Sequence, residues 1–433
     1  MKINNFIKST LILLIGGLMT KLLGMIIKII MTRLIGTEGI GIYMLMNPTM
    51  MLLITIASLG LPVAISTLVA TDKYNNKSLL FSSLFVVIIL NIIMMILIMM
   101  GAKYIGTTLL NEKRCVLGLK AISFILPFIS ISNILRGYYF GTQRMGIHVI
   151  TNIVEDIVRI ILLLIGIPIY LMKGIEYAVA FIVITNIFSE LSSILLFIFF
   201  LPKDLTITKK DIIPNISNIK SIFKISLPAT GSRLIGNFGA FLEPIILTSM
   251  LLKQGFSNHY IVTEYGILNG YVMPLLLMPS FFTLAISQAI IPVVSKAYAK
   301  KDYKEVKRKV IQAIVFSLII GIPITIIFET IPEFLLKFIY NTNEGISYLK
   351  LLAPFFLILY IQSPIIACIH AMNKSLIALK GTLIGTIIKI CLLILLTSLK
   401  IGFYGFICSL IFNIIFVTVY QSYHLVRIIK KKI

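Results

Sequence analysis

The chain has 433 residues, of which 58% are hydrophobic and only 13% charged, and its mean hydropathy is +1.03. Soluble domains carry about a quarter charged residues, so the composition excludes an ordinary soluble protein and predicts a polytopic membrane protein. The net charge of +23 would suggest nucleic acid in a soluble chain; here the bases fall mainly in loops between apolar spans, where the positive-inside rule accounts for them and no nucleic-acid partner is expected.

Twelve spans are expected, at roughly 8–35, 41–70, 79–102, 116–140, 146–172, 177–201, 221–252, 263–295, 308–329, 347–371, 376–398 and 402–426. The first apolar run holds lysines, is long, and lacks a small-x-small site, so it reads as a span and not as a cleavable signal. Lys21 and Lys28 lie near its middle. Seven residues is close to two helical turns, which puts both ammonium groups on one face about 10 Å apart. Charges inside a membrane span mark functional paths by default, so this helix is expected to line a cationic path. The competing reading is that both lysines snorkel or pair with acids. Gly16, Gly17 and Gly24 are expected to let neighbouring helices approach. GTEGIG (36–41) follows no strand and reads as a turn between spans one and two, not as a phosphate loop.

Prolines interrupt span two (Pro48, Pro62), span seven (Pro228, Pro244) and span eight (Pro274, Pro279, Pro292). Each removes a backbone hydrogen bond, leaving a carbonyl for neighbours or water to satisfy; broken transporter helices and simple kinks are equally compatible with this. In span five, Glu155, Asp156 and Arg159 have helical i,i+4 and i,i+3 spacings and read as a self-neutralised structural ion pair. Arg136 and Arg144 flank the inner ends of spans four and five, where they could meet an anionic head group, although the positive-inside rule alone also predicts them. Span seven carries Thr230, Ser232, Arg233 and Asn237, then Glu243 deeper in. Glu243 is the candidate for a coupling cation, Na⁺ or H⁺; pairing with Lys389 or Lys28 is the alternative. The basic run KAYAKKDYKEVKRK (296–309) is expected to lie on anionic membrane lipids. The segment 331–340 is too short to cross and reads as an amphipathic interfacial piece.

The basic loops place both termini in the cytoplasm. The polar connection 203–220 reads as a linker between an N-terminal six-helix lobe (1–202) and a C-terminal one (221–433). The halves echo each other at a shift of 230 residues: LPVAIS around Pro62 matches IPVVSK around Pro292, Gln143 falls on Asn373, and Arg159 on Lys389. Such a parallel repeat implies an axis along the membrane normal. No Walker A, HExxH or GxSxG sequence occurs, the histidines share no helical face, and Cys115, Cys368, Cys391 and Cys408 lack metal spacing. No enzyme chemistry, metal or cofactor is expected beyond a coupling ion.

TKLLGMIIKI, TRLIGTEGIGIYML, ASLGLPVAIS, LPATGSRLIGNFGAFLEPI and the half-ending motifs around Gln143 and Asn373 resemble the stage V sporulation protein B and polysaccharide biosynthesis protein branch of the multidrug/oligosaccharidyl-lipid/polysaccharide (MOP) exporter superfamily. That resemblance implies an all-α, MATE-like fold of two six-helix lobes around a central cavity. It also implies alternating inward and outward openings in a bacterial plasma membrane. The implied cargo is an undecaprenyl-pyrophosphate-linked saccharide such as lipid II for spore-cortex peptidoglycan, and cell-wall synthesis enzymes are the implied partners. Lys21, Lys28, Arg33, Arg136, Arg144 and Arg233 are the candidate cavity cations. Many flippases of this branch have fourteen spans, so twelve leaves the lipid tail without an assigned element. A cation-coupled multidrug exporter of the same fold is the second reading, and a membrane enzyme the third.

Overall fold

A computed structural model describes residues 5–71, 73–201 and 213–430, with side chains from residue 15 onward except at 229 and 232. Described residues are helical, with no strand among them. The first unit holds α1 (Asn5–Ser58), α2 (Leu61–Ala70), α3 (Asn76–Tyr104), α4 (Cys115–Gly141), α5 (Met145–Leu171) and α6 (Ile175–Phe199). After 202–212, which lie outside the described residues together with most of the expected linker, α7 runs from Ile216 to Lys253. Two compact units divide within α7, between Phe241 and Leu242. The second unit continues with α8 (Asn258–Gly266), a π-helical turn (Ile267–Val272), α9 (Met273–Leu277), α10 (Ser280–Ala299) and α11 (Tyr303–Thr330). It ends with α12 (Pro332–Tyr340), α13 (Ile346–Ala371), α14 (Ser375–Ser398) and α15 (Tyr404–Lys430).

Among the described residues ten helices are long and apolar enough to cross a membrane. Spans one and two run together in that number as Ile15–Ala70. They are broken at Gly36, whose φ of 68° and ψ of −177° interrupt the helix; only glycine adopts that region without strain. The expected turn is thus a one-residue break. Span five, α5, is as long as its neighbours but carries three charges, Glu155, Asp156 and Arg159, and stands outside the ten. With these two, all twelve expected spans are helical.

Only some breaks fall at prolines: Pro48, Pro228, Pro244 and Pro292, expected to interrupt spans two, seven and eight, stand inside continuous helices, while hydroxyls of neighbouring helices bond carbonyls beside the breaks at Pro62 and Pro279. Pro62 and Pro274 sit in first turns, where a missing N–H costs nothing. Leu59 and Gly60 take positive φ before α2, and the Ser130 hydroxyl of α4 donates to the Ala57 carbonyl at 3.2 Å. Pro279 breaks span eight between α9 and α10, and the Tyr360 hydroxyl donates to the Leu276 carbonyl at 2.6 Å. The π turn ahead of it is held by Asn269, whose side-chain amide donates to the Tyr265 carbonyl at 3.2 Å. Helix starts are capped locally: Asn75 accepts from the Lys77 amide at 3.0 Å, and Asp302 from the Glu305 amide at 2.9 Å.

The internal repeat is visible in backbone geometry. Gln143 and Asn373 both take left-handed φ, 58° and 57°, as do Asn111 and Asn341 at 54° and 58°. The turn after α4 closes with Thr142 N–H to Tyr138 O and Arg144 N–H to Tyr139 O. The turn after α13 repeats it with Met372 N–H to Cys368 O and Lys374 N–H to Ile369 O. The short α12 buries Pro332, Leu336 and Tyr340 and exposes Phe334 and Phe338, a one-sided amphipathic helix.

Candidate functional site: a cationic strip on the first helix

The first part of α1 has three faces. Ile27, Met31 and Ile35 are buried against the first unit. Ile15, Leu18, Leu22 and Ile26 are exposed and apolar, as a lipid-facing stripe requires. Between them, by the 100° step of an α-helix, lie Lys21, Lys28 and the buried Thr32, with Gly17 and Gly24 at the adjoining edge of the first face. Lys21 is exposed and Lys28 half-buried. Among the described residues neither ammonium group meets a carboxylate within ion-pair distance. The Thr32 hydroxyl is spent on the Lys28 carbonyl at 2.6 Å, and the Thr20 hydroxyl on the Gly17 carbonyl at 3.1 Å.

The three glycines do different things. A Cβ on Gly16 would meet Val149 of α5 at 2.4 Å, so this glycine allows close helix packing. A Cβ on Gly17 or Gly24 would meet nothing within 4 Å. Those two therefore do not serve helix approach, contrary to the expectation from sequence; they keep an open lane beside the lysines. Gly231 and Gly236 of α7 also face open space, and Arg233 between them is exposed. Asn237 ties α7 to α1 within the first unit, its side-chain amide donating to the Thr55 hydroxyl at 2.6 Å. The Ser232 side chain lies outside the described residues.

The remaining expected cations separate. Arg33 and Arg144 are exposed, and Arg33 is already engaged. Arg136 is corrected: it is not a free cation at an inner mouth. Its guanidinium donates to Glu155 at 2.6 Å and to Glu190 at 3.1 Å, both carboxylates being nearly buried. Arg159 completes the cluster, reaching Glu155 at 3.0 Å and the Ser189 hydroxyl at 3.1 Å. Asp156, expected in the same pair, makes no hydrogen bond or ion pair among the described residues. The network is thus Arg136–Glu155–Arg159 with Glu190, drawn from α4, α5 and α6. An arginine flanked by two carboxylates in low dielectric is held by charge and by directional bonds together.

In the second unit Glu243 of α7 is ion-paired with Lys389 of α14. The Lys389 ammonium also stands 5.8 Å from the Phe406 ring centroid. Of the two readings for Glu243, pairing with Lys389 is the one the geometry contains, and a cation binding there must compete with that ammonium. Arg159 and Lys389, matched by the repeat, each anchor an ion pair in their own unit. Sequence reading missed Glu190, whose only clue was an acid well inside the apolar α6, beyond the Glu176 of its first turn. It also missed Glu38 and Glu112, which grip Arg114 at 2.5 and 2.8 Å near the start of α4. The Glu112 hydrogen bond, then that of Glu38, pushes the Arg114 guanidinium still further above its ordinary pKa.

Residues 6–298 match the family model described as polysaccharide biosynthesis protein, and residues 269–401 the MatE model. Stage V sporulation protein B of Bacillus subtilis is 35% identical over 96% of this chain and 83% of that protein. The lipid II flippase MurJ of Bacillus subtilis is 21% identical over 99% of this chain and 86% of its own length. Among solved structures, an inward-facing multidrug resistance MATE family transporter of the MOP superfamily superposes with a TM-score of 0.76 at 16% identity. That match covers 95% of both chains. The all-α, multi-pass fold expected from sequence is therefore the fold of a MOP-superfamily transporter, and the relatives named for an activity, MurJ and the superposed protein, are a flippase and a transporter, not enzymes.

Proposed function

Because this chain belongs to the polysaccharide biosynthesis protein family of the MOP superfamily, we propose that it is a flippase for an undecaprenyl-pyrophosphate-linked saccharide. Lipid II is the cargo we favour, since a lipid II flippase is among the relatives. The carrying observation is the strip on α1: Lys21 and Lys28 without acidic partners among the described residues, beside a lane that Gly17 and Gly24 leave open. Unpaired cations in an apolar span are stabilised by an anion, and a diphosphate supplies one. The prenyl tail stays in lipid while the head group passes, so no covalent step is needed.

In this reading the protein sits in a bacterial plasma membrane with both termini cytoplasmic and alternates between inward- and outward-open states. Lys21 and Lys28 bind the diphosphate, and exposed Arg233 and Arg144 extend the attraction along its route. The buried Arg136 cluster shapes the first unit and does not touch cargo. Coupling to Na⁺ or H⁺ through Glu243 would proceed by exchange with Lys389.

A cation-coupled multidrug exporter is the second reading, favoured by the MATE-like fold. It needs carboxylates free to meet cationic drugs; Glu155, Glu190 and Glu243 are all held by arginine or lysine, which leaves Asp156, half-buried in α5 and without a bond among the described residues, as the acid on which this reading would rest. Leaflet-resolved detection of labelled lipid II in vesicles with and without the protein tests the proposal. Protein-dependent arrival of label in the outer leaflet supports it. Drug resistance in an efflux-deficient host, with no movement of the labelled lipid, supports the exporter instead.

A further inference from the structure

The second unit contains a cleft that neither the cargo reading nor the ion pairs use. It has a volume of about 240 Å³ and lies between the start of α11, the middle of α13 and the end of α15. Its walls are mainly aliphatic, with Val310, Ile314, Ile365, Leu425 and Ile429, and Ser422 is the one uncharged polar residue among them. Of these aliphatic residues all but Ile314 belong to the buried core of this unit, so the slot is fixed by packing. Lys307 and Lys430, both exposed, stand at its rim.

These two lysines differ from the bases around them. Arg308 and Lys309 are drawn to Glu305 at 2.7 and 3.7 Å. Among the described residues Lys307 and Lys430 make no ion pair. Asp302 caps the first turn of α11 and fixes where Lys307 emerges.

The chemistry selects an amphiphile. A slot so largely aliphatic, with Ser422 its one hydroxyl, gives water too few hydrogen-bond partners and suits hydrocarbon. Two ammonium groups at one end attract a phosphate. A free anion leaves the slot empty, and a zwitterionic lipid brings its own cation to the lysines. We propose that this cleft is a binding site for an anionic glycerophospholipid, with one acyl chain in the slot and the phosphate between Lys307 and Lys430. In the topology proposed above the rim faces the cytoplasmic leaflet. The site is independent of what the protein carries.

The test is native mass spectrometry of the full chain in neutral detergent, titrated with phosphatidylglycerol and with phosphatidylcholine of identical acyl chains. The wild type retains phosphatidylglycerol preferentially. Each lysine near an anionic head group contributes on the order of fivefold, so the Lys307→Glu, Lys430→Glu variant loses about twenty-five-fold or more of that retention. The control Lys253→Glu, Lys350→Glu removes the same charge elsewhere in this unit and leaves retention unchanged. Ile314→Trp fills the slot and lowers retention with both lysines present. Equal retention of the two lipids by the wild type, which needs no variant, overturns the proposal. So does an equal loss in the control pair, retention indifferent to Ile314→Trp, or displacement by soluble glycerol phosphate.

Discussion

A charged side chain at the centre of a membrane helix costs roughly 2.5–3.5 kcal/mol on insertion scales, and the two classes of charge in this chain meet that cost differently. Arg136, Arg159, Glu155 and Glu190 offset it inside the protein by pairing. Lys21 and Lys28 do not, among the described residues. Truncation therefore has opposite consequences. Arg136→Ala strands Glu190 and half of the Glu155 bonding, and removing one partner of a buried pair costs about 3–5 kcal/mol. It should lower the thermal unfolding temperature in detergent sharply, and Arg136→Ala with Glu190→Ala should recover part of the loss. Lys21→Ala or Lys28→Ala strands nothing, so unfolding should stay near wild type while transport falls. The reverse ordering of these stabilities would contradict the division. The lysines were legible in the sequence because a cation in an apolar run stands out. The Arg136 bonding was not, because its partner Glu190 is 54 positions away and no local spacing links them.

Single residues set where the helices break and how closely they pack. Gly36 holds a φ that strains any L side chain, so Gly36→Val should cost on the order of 1–3 kcal/mol, read as lowered thermal stability. Tyr360→Phe frees the Leu276 carbonyl beside the Pro279 break; leaving a buried acceptor unpaired costs about 1–3 kcal/mol, and the unfolding temperature should drop accordingly. The glycines on α1 give a sharper contrast. Gly16→Leu should disturb packing against Val149 and reduce folded protein. Gly24→Leu meets no neighbour, so the protein should fold normally while the obstructed lane lowers transport. Equal folding defects in both would remove the distinction. Proline positions marked the breaks at Pro62 and Pro279 in advance, whereas Pro48, Pro228, Pro244 and Pro292 sit in unbroken helices and the Gly36 break has no proline. The π turn at Ile267–Val272 was not legible, since it depends on Asn269 reaching its own helix backbone.

For the whole molecule, the sequence echo between halves has a physical counterpart. Gln143 and Asn373, and Asn111 and Asn341, mark equivalent left-handed turns, and Arg159 and Lys389 anchor equivalent part-buried pairs. The expected spans were countable because most are long apolar runs bounded by polar turns; spans one and two are parted only at Gly36, and span five carries three charges. The division into units was less legible: it falls inside α7, where composition does not change, since contacts such as Asn237 to Thr55 hold its first part to the first unit. The central claim is that a negative head group crosses beside two uncompensated lysines. It is tested most directly by leaflet-resolved movement of labelled lipid II in vesicles holding equal amounts of wild type or the Lys21→Glu, Lys28→Glu variant. The account predicts protein-dependent transfer by the wild type and its loss in the variant; undiminished transfer by the double variant would contradict it.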